Sequence, residues 1–148
     1  MKLLFLCVAN SARSQMAEAI ARNIFDASYE IESAGSNPSG RIDPLAIEAL
    51  KEIKISVGDQ FSKSWDDLHP KFLATVDFVI GVCGDDVCPN AAVRATKLHW
   101  PIAVPNSMAA FREARDEIFK RLVKFKRELE LKEVGWNEFF ENQMTGEE

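Results

Sequence analysis

The chain has 148 residues, a formal net charge of −5 and a hydrophobic fraction of 47%. That length suits one domain with a sizeable core. The acidic balance gives a nucleic-acid partner no electrostatic support, and no apolar run is long enough to span a bilayer. Neither kind of partner is expected.

Met1 to Ala9 faintly imitates a signal peptide, but its apolar part is short and runs directly into a polar loop. The opening is read instead as the first strand of a cytoplasmic protein. Three cysteines in such a chain do not suggest a disulfide framework; redox, metal or nucleophile chemistry stays open.

Lys2-Leu3-Leu4-Phe5-Leu6 is a short apolar run of the kind that forms a fully buried strand. Gln15 to Phe25 follows as a helix, with Ala17, Ile20, Ala21 and Ile24 at helical spacing. Between them lies Cys7-Val8-Ala9-Asn10-Ser11-Ala12-Arg13-Ser14, a tight strand-to-helix loop. Such a loop turns backbone N–H groups inward, and the helix dipole adds partial positive charge. The amides of Val8, Ala9, Asn10, Ser11 and Ala12 therefore read as a nest for an oxyanion. The same field favours the thiolate, the nucleophilic form of Cys7. Arg13 is placed to fork onto two anion oxygens. Ser14, at the helix start, is expected to cap the helix and to offer its hydroxyl to the Cys7 sulfur. The plainer reading is a buried cysteine before an ordinary helix cap. Placement on strand, loop and helix favours the nest.

Tyr29 to Ala34 alternates as a second strand and stops at Gly35. After the turn-rich Ser36 to Arg41, Asp43-Pro44 opens a helix as cap and first-turn proline, with Leu45, Ile47, Ala49, Leu50 and Ile53 as its apolar face. A shorter helix, interrupted near Pro70, is expected from Trp65 to Thr75. Asp77 to Val82 is the third strand and ends on Cys83; Lys97 to Ile102 is the last. A long helix follows Asn106-Ser107, its core stripe being Phe111, Ala114, Ile118, Leu122, Phe125 and Leu129. Strands alternating with helices predict a single α/β domain: a four-stranded parallel sheet with helices on both faces. Ligands bind such sheets beyond the carboxyl ends of the strands. Cys7 and Cys83 both sit at predicted strand ends, which puts them on one rim.

Cys7 to Met16, Ser33-Ala34-Gly35, Asp43-Pro44, Cys83 to Pro89 and His99-Trp100 together resemble the thioredoxin-coupled arsenate reductases, which share the low-molecular-weight tyrosine phosphatase fold. The resemblance runs to about Leu131, so residues 1–131 are read as the domain and 132–148 as an acidic, aromatic extension. It implies a thiol relay. Cys7 attacks arsenate held by the loop amides and Arg13, and Cys83 attacks the Cys7 sulfur. Cys88 then resolves the mixed disulfide into a Cys83–Cys88 pair, which thioredoxin or another dithiol reduces. Phosphate and sulfate are the competing anions, and no cofactor or metal is implied. Gly84, Asp85 and Asp86 between the two cysteines suit an exposed loop.

The chain departs from the family pattern twice. Val104-Pro105 stands where phosphatases and many reductases of this fold carry an aspartate and a proline, the aspartate being the general acid. Valine transfers no proton; Asp85 or Asp86 is the candidate substitute acid. In the potassium site of some of these reductases, Asn10, Glu18 and Ser33 match, but Lys63 replaces a carboxylate, so potassium dependence is not expected. Two further functions stay open: a phosphatase-like hydrolase working through a Cys7 phospho-intermediate, and a non-enzymatic oxyanion or redox sensor. A zinc site from Cys7, Cys83, Cys88 and His99 has suitable ligand types but consumes the nucleophile. His99 reads more simply as a rim or packing residue and Trp100 as core. Trp136, Phe139 and Phe140 share a helical face, packed on the domain or offered to a partner.

Overall fold

Four parallel strands alternate with helices in the computed structural model, which describes residues 1–84 and 94–145, with side chains through residue 132. The strands are β1 (Lys2–Cys7), β2 (Glu30–Gly35), β3 (Phe78–Gly81) and β4 (Thr96–His99). The helices are α1 (Arg13–Ile24), α2 (Pro44–Glu52), α3 (Pro70–Thr75) and α4 (Met108–Thr145), with a 3-10 turn at Trp65–Asp67 before α3. The sheet order is β2-β1-β3-β4, and every pairing is parallel. β1 is central and buried on both faces, as its unbroken apolar run requires.

The period-2 alternation of β1 sorts its side chains between two cores. Leu3, Phe5 and Cys7 pack with α1, α2 and α4, whereas Leu4 and Leu6 pack with Leu68, Phe72, Val76 and Val79 on the other face. The helices thus cover both faces of the sheet. Every residue of the expected α4 stripe, from Phe111 to Leu129, is buried. Each such side chain taken from water contributes roughly 1.5–3 kcal/mol, so this stripe secures the longest helix. α4 then runs unbroken past residue 131 to Thr145. Among the described residues, no helix is long and apolar enough to cross a membrane.

Several local expectations shift. α1 begins at Arg13 rather than Gln15, which brings Arg13 and Ser14 into its first turn. β4 ends at His99 instead of Ile102; Pro101 has no N–H to donate to a ladder. The Trp65–Thr75 helix is interrupted just before Pro70, as expected: Leu68 and His69 are extended, and the His69 ring caps α3 through the Lys71 amide. On α2, Leu45 is exposed and Ala46 takes the buried position. The helix starts at Pro44, and its register turns Ala46, Ala49 and Leu50 inward. Asp43 is the N-cap, its Oδ1 accepting from the Leu45 amide at 2.9 Å.

The chain steps from β1 outward to β2, then crosses back to β3 on the other side of β1. The strand order therefore reverses between β1 and β3, and the crevice beyond their carboxyl ends is where a sheet of this kind receives a ligand. Cys7 closes β1 and Cys83 lies two residues beyond β3. The topology brings both cysteines to this crevice.

Candidate active site

The loop from Val8 to Ala12 is held from behind by its carbonyls. The Val8 carbonyl accepts from the Asn37 amide at 3.0 Å, Ala9 from Ser39 at 2.9 Å and Ser11 from Asp43 at 2.8 Å. All three donors belong to the β2–α2 connection. No peptide in the described structure is cis, and a trans peptide points its N–H opposite to its carbonyl. The amides of Ala9, Asn10 and Ala12 therefore face the inner side of the loop. Asn10 makes the tight bend with φ +48°, a conformation asparagine tolerates better than most residues. Gly35 makes room for it: a Cβ there would lie 2.3 Å from the Val8 carbonyl oxygen.

α1 opens at this loop with Ala12 as N-cap, no side-chain cap and no acidic residue in its first turn. Such an N-terminus is suited to negative charge brought from outside. Arg13 is buried, and its Nη1 donates to the Ile102 carbonyl at 3.0 Å. That bond ties the loop to the segment after β4. Ser14 does not cap the helix, contrary to expectation. Its Oγ lies 2.8 Å from the Cys7 sulfur and accepts from Asn10 Nδ2 at 2.8 Å. Ser14 lies one residue inside the helix, which starts at Arg13, so the cap position falls to Ala12.

A buried polar chain continues inward from Asn10. Its Nδ2 also donates to Ser33 Oγ at 3.0 Å, and Ser33 Oγ donates to Glu18 Oε1 at 2.6 Å. Glu18 is 1% exposed; burial pushes its carboxyl up, against the opposing pull of the Lys63 ammonium. Lys63, 4% exposed, places Nζ 3.7 Å from Glu18 Oε1 and 3.5 Å from Glu32 Oε2, while its backbone amide donates to Asn10 Oδ1 at 2.9 Å. Potassium does not fit these residues, because a fixed ammonium already lies between the two carboxylates.

The sequence reading missed two contributors to this cluster. Gln15, fully buried, gives Nε2 to the carbonyl and side-chain oxygens of Asn10 and to the Phe61 carbonyl. Gln60 in turn donates to Gln15 Oε1 at 2.8 Å. Gln15 stands three residues before Glu18, so the two share one helix face, and that spacing was the available signal.

Cys83 is fully buried (0% exposed) rather than part of an exposed loop. Its Sγ lies 3.9 Å from the Leu6 carbonyl, which belongs to the peptide leading into Cys7. It packs in the same core cluster as Cys7, and that packing is what withdraws it from solvent. His99 aims Nε2 at the Cys83 carbonyl, 2.8 Å away, which counts against a zinc-ligand role for that nitrogen. Trp100 is buried core, as expected. Val104 is 61% exposed on the segment that Arg13 grips. The expectations for Cys88, Asp85 and Asp86 lie outside the described residues, as do the side chains of Trp136, Phe139 and Phe140.

A cysteine sulfur at a strand end, a loop with inward amides and a buried arginine in the first turn have a geometry suited to an oxyanion. The model of the low molecular weight phosphotyrosine protein phosphatase family matches residues 2–134. The chain belongs to that family. It is 36% identical over 131 residues to a Shouchella clausii protein named arsenate reductase, covering 82% of this chain and 91% of that one. An arsenate reductase structure from Archaeoglobus fulgidus superposes with a TM-score of 0.72 at 26% identity, over 83% of this chain and 97% of that one. A thioredoxin-dependent arsenate reductase from Corynebacterium glutamicum gives 0.71 at 32% identity, over 88% of this chain and 62% of that one.

Proposed function

We propose that the protein is an arsenate reductase working through Cys7, Cys83 and Cys88. Arsenate sits on the amides of the Val8–Ala12 loop with Arg13 forked onto two of its oxygens. The Cys7 thiolate displaces an arsenate hydroxyl, which leaves as water with the proton that the thiol gave up, and an S–As(V) bond forms. Ser14, 2.8 Å from that sulfur, stabilises the thiolate before attack.

Cys83 then attacks the Cys7 sulfur. The S–As bond breaks, its electron pair goes to arsenic, and arsenite departs as a Cys7–Cys83 disulfide forms. Cys88 attacks the Cys83 sulfur, releasing Cys7 as thiolate and leaving a Cys83–Cys88 disulfide. A dithiol, thioredoxin or another, reduces that bridge and becomes a disulfide itself. The two electrons given to arsenic thus come from the Cys83/Cys88 pair and are restored by the dithiol. Phosphate and sulfate bind the same loop and compete.

The observation that supports this reading is that the two cysteines lie at the same end of neighbouring strands. Cys7 ends β1, and the Cys83 sulfur rests against the Leu6–Cys7 peptide. A phosphatase needs only the first thiol and also needs an acid for its leaving group. Val104, at the position matched to that acid, supplies none.

The test is arsenite formation from arsenate with thioredoxin, thioredoxin reductase and NADPH. Turnover by the native chain that is lost in both Cys7→Ser and Cys83→Ser supports the proposal. Phosphate-ester hydrolysis without arsenite formation would replace it with the hydrolase reading.

A further inference from the structure

We propose that His99 is a positioning residue for Cys83, holding its thiol against the peptide that leads into Cys7. Its use in turnover rests on the thiol relay proposed above; its geometry does not.

The paired part of β3 ends at Gly81, which is in register with His99 on β4. The Val82 amide still reaches the Leu6 carbonyl at 2.9 Å, and the Trp100 amide reaches the Gly81 carbonyl at 2.8 Å. Cys83 lies one residue beyond this ladder. Its carbonyl is met by the His99 side chain, Nε2 at 2.8 Å, across 16 residues of sequence. A carbonyl only accepts, so Nε2 carries the hydrogen. The bond sets the plane of the Cys83–Gly84 peptide.

The same peptide is bounded on its other side. A Cβ on Gly84 would lie 2.8 Å from the Ile102 carbonyl oxygen and 3.0 Å from the Ala103 Cα. Only glycine passes there. Ile102 is also the residue whose carbonyl takes Arg13 Nη1 at 3.0 Å. The peptide after Cys83 is therefore clamped between an imidazole and the segment after β4 that Arg13 grips. With the peptide plane so held, the Cys83 sulfur stays buried, 3.9 Å from the Leu6 carbonyl.

A plain surface histidine would leave Cys83 unchanged on replacement. A positioning histidine would not. Without the imidazole the peptide turns, and Cys83 swings outward. It then meets an added electrophile faster and meets Cys7 less often.

The test uses the full reduced chain without arsenate, treated with iodoacetamide, with Cys83 and Cys7 alkylation followed separately by peptide mass spectrometry. His99→Phe is expected to speed Cys83 alkylation about tenfold, the factor corresponding to one hydrogen bond of ordinary net strength. Cys7 should keep its native rate, because the effect is local. His99→Gln, which retains an N–H donor, should stay near the native rate. An unchanged Cys83 rate in His99→Phe overturns the proposal. So does parallel acceleration of both cysteines, or equal acceleration in the two variants, since each would mean general loosening. With arsenate and reductant, His99→Phe should lower kcat and leave KM unchanged. If the alkylation pattern holds while the native chain makes no arsenite, the relay fails and the positioning role stands.

Discussion

The Lys63 ammonium stands 3.7 Å from Glu18 Oε1, and both side chains are buried. Two opposite charges withdrawn from water stabilise little as a pair, and Glu18 has a second cation in Arg22, whose Nη2 lies 2.7 Å from Oε2. Glu18 reaches Cys7 through Ser33, Asn10 and Ser14, so the pair sits at the far end of a polar chain that ends on the Cys7 sulfur.

Lys63→Met should destabilise the fold by less than the roughly 3 kcal/mol usual for a buried charge left alone, because Arg22 still holds Glu18, as read by urea denaturation. Because the native chain supplies its own cation, replacing sodium by potassium at constant ionic strength should not change its turnover. A sharp potassium response of the native enzyme would contradict this account of Lys63.

Glu52 ties α2 to α4. The Arg112 guanidinium, bidentate on its carboxylate, with Arg115 beside it, holds the Glu52 carboxyl down to about 2. A carboxylate depressed in the folded state adds stability above its unfolded value, and that stability is lost as pH falls through the folded value. Glu52→Gln should therefore melt below the native chain near neutral pH. The gap should close progressively from the ordinary carboxylate range down to about pH 2, and it should narrow in high salt because the group is solvent-facing. Thermal melts of both proteins across that range check the sign.

Val104→Asp supplies the missing proton donor on the exposed segment beside Arg13. A positioned general acid contributes on the order of 10²-fold or more. Hydrolysis of an aryl phosphate such as p-nitrophenyl phosphate should rise by about that factor. Arsenate reduction, which expels water rather than an alkoxide or phenolate, should change far less. Equal stimulation of both reactions would contradict the reading of Val104.

The sheet, its order of elements and the strand-to-helix loop after Cys7 were legible because each is written in contiguous residues. The apolar run of β1, the polar turn to Ser14 and the helical spacing after it need no distant partner to be read. Ser14 shows the limit. Both a cap and a thiol partner were expected of one hydroxyl, and only the fold reveals that Asn10 and Cys7 use it. The Arg13 bond to Ile102 spans 89 residues and the Gln15 bond to Phe61 spans 46. Periodicity encodes which face a residue takes, not which backbone group crosses the crevice to meet it. The burial of Cys83 was missed for the same reason. Its loop composition is polar, but its own side chain continues the inner face of the core.

The most direct test of the relay is disulfide mapping by mass spectrometry after arsenate is added to the fully reduced protein. A Cys83–Cys88 bridge that forms with arsenate, and fails to form in Cys7→Ser, is the predicted result. Three free thiols after arsenate treatment of the native chain would contradict it.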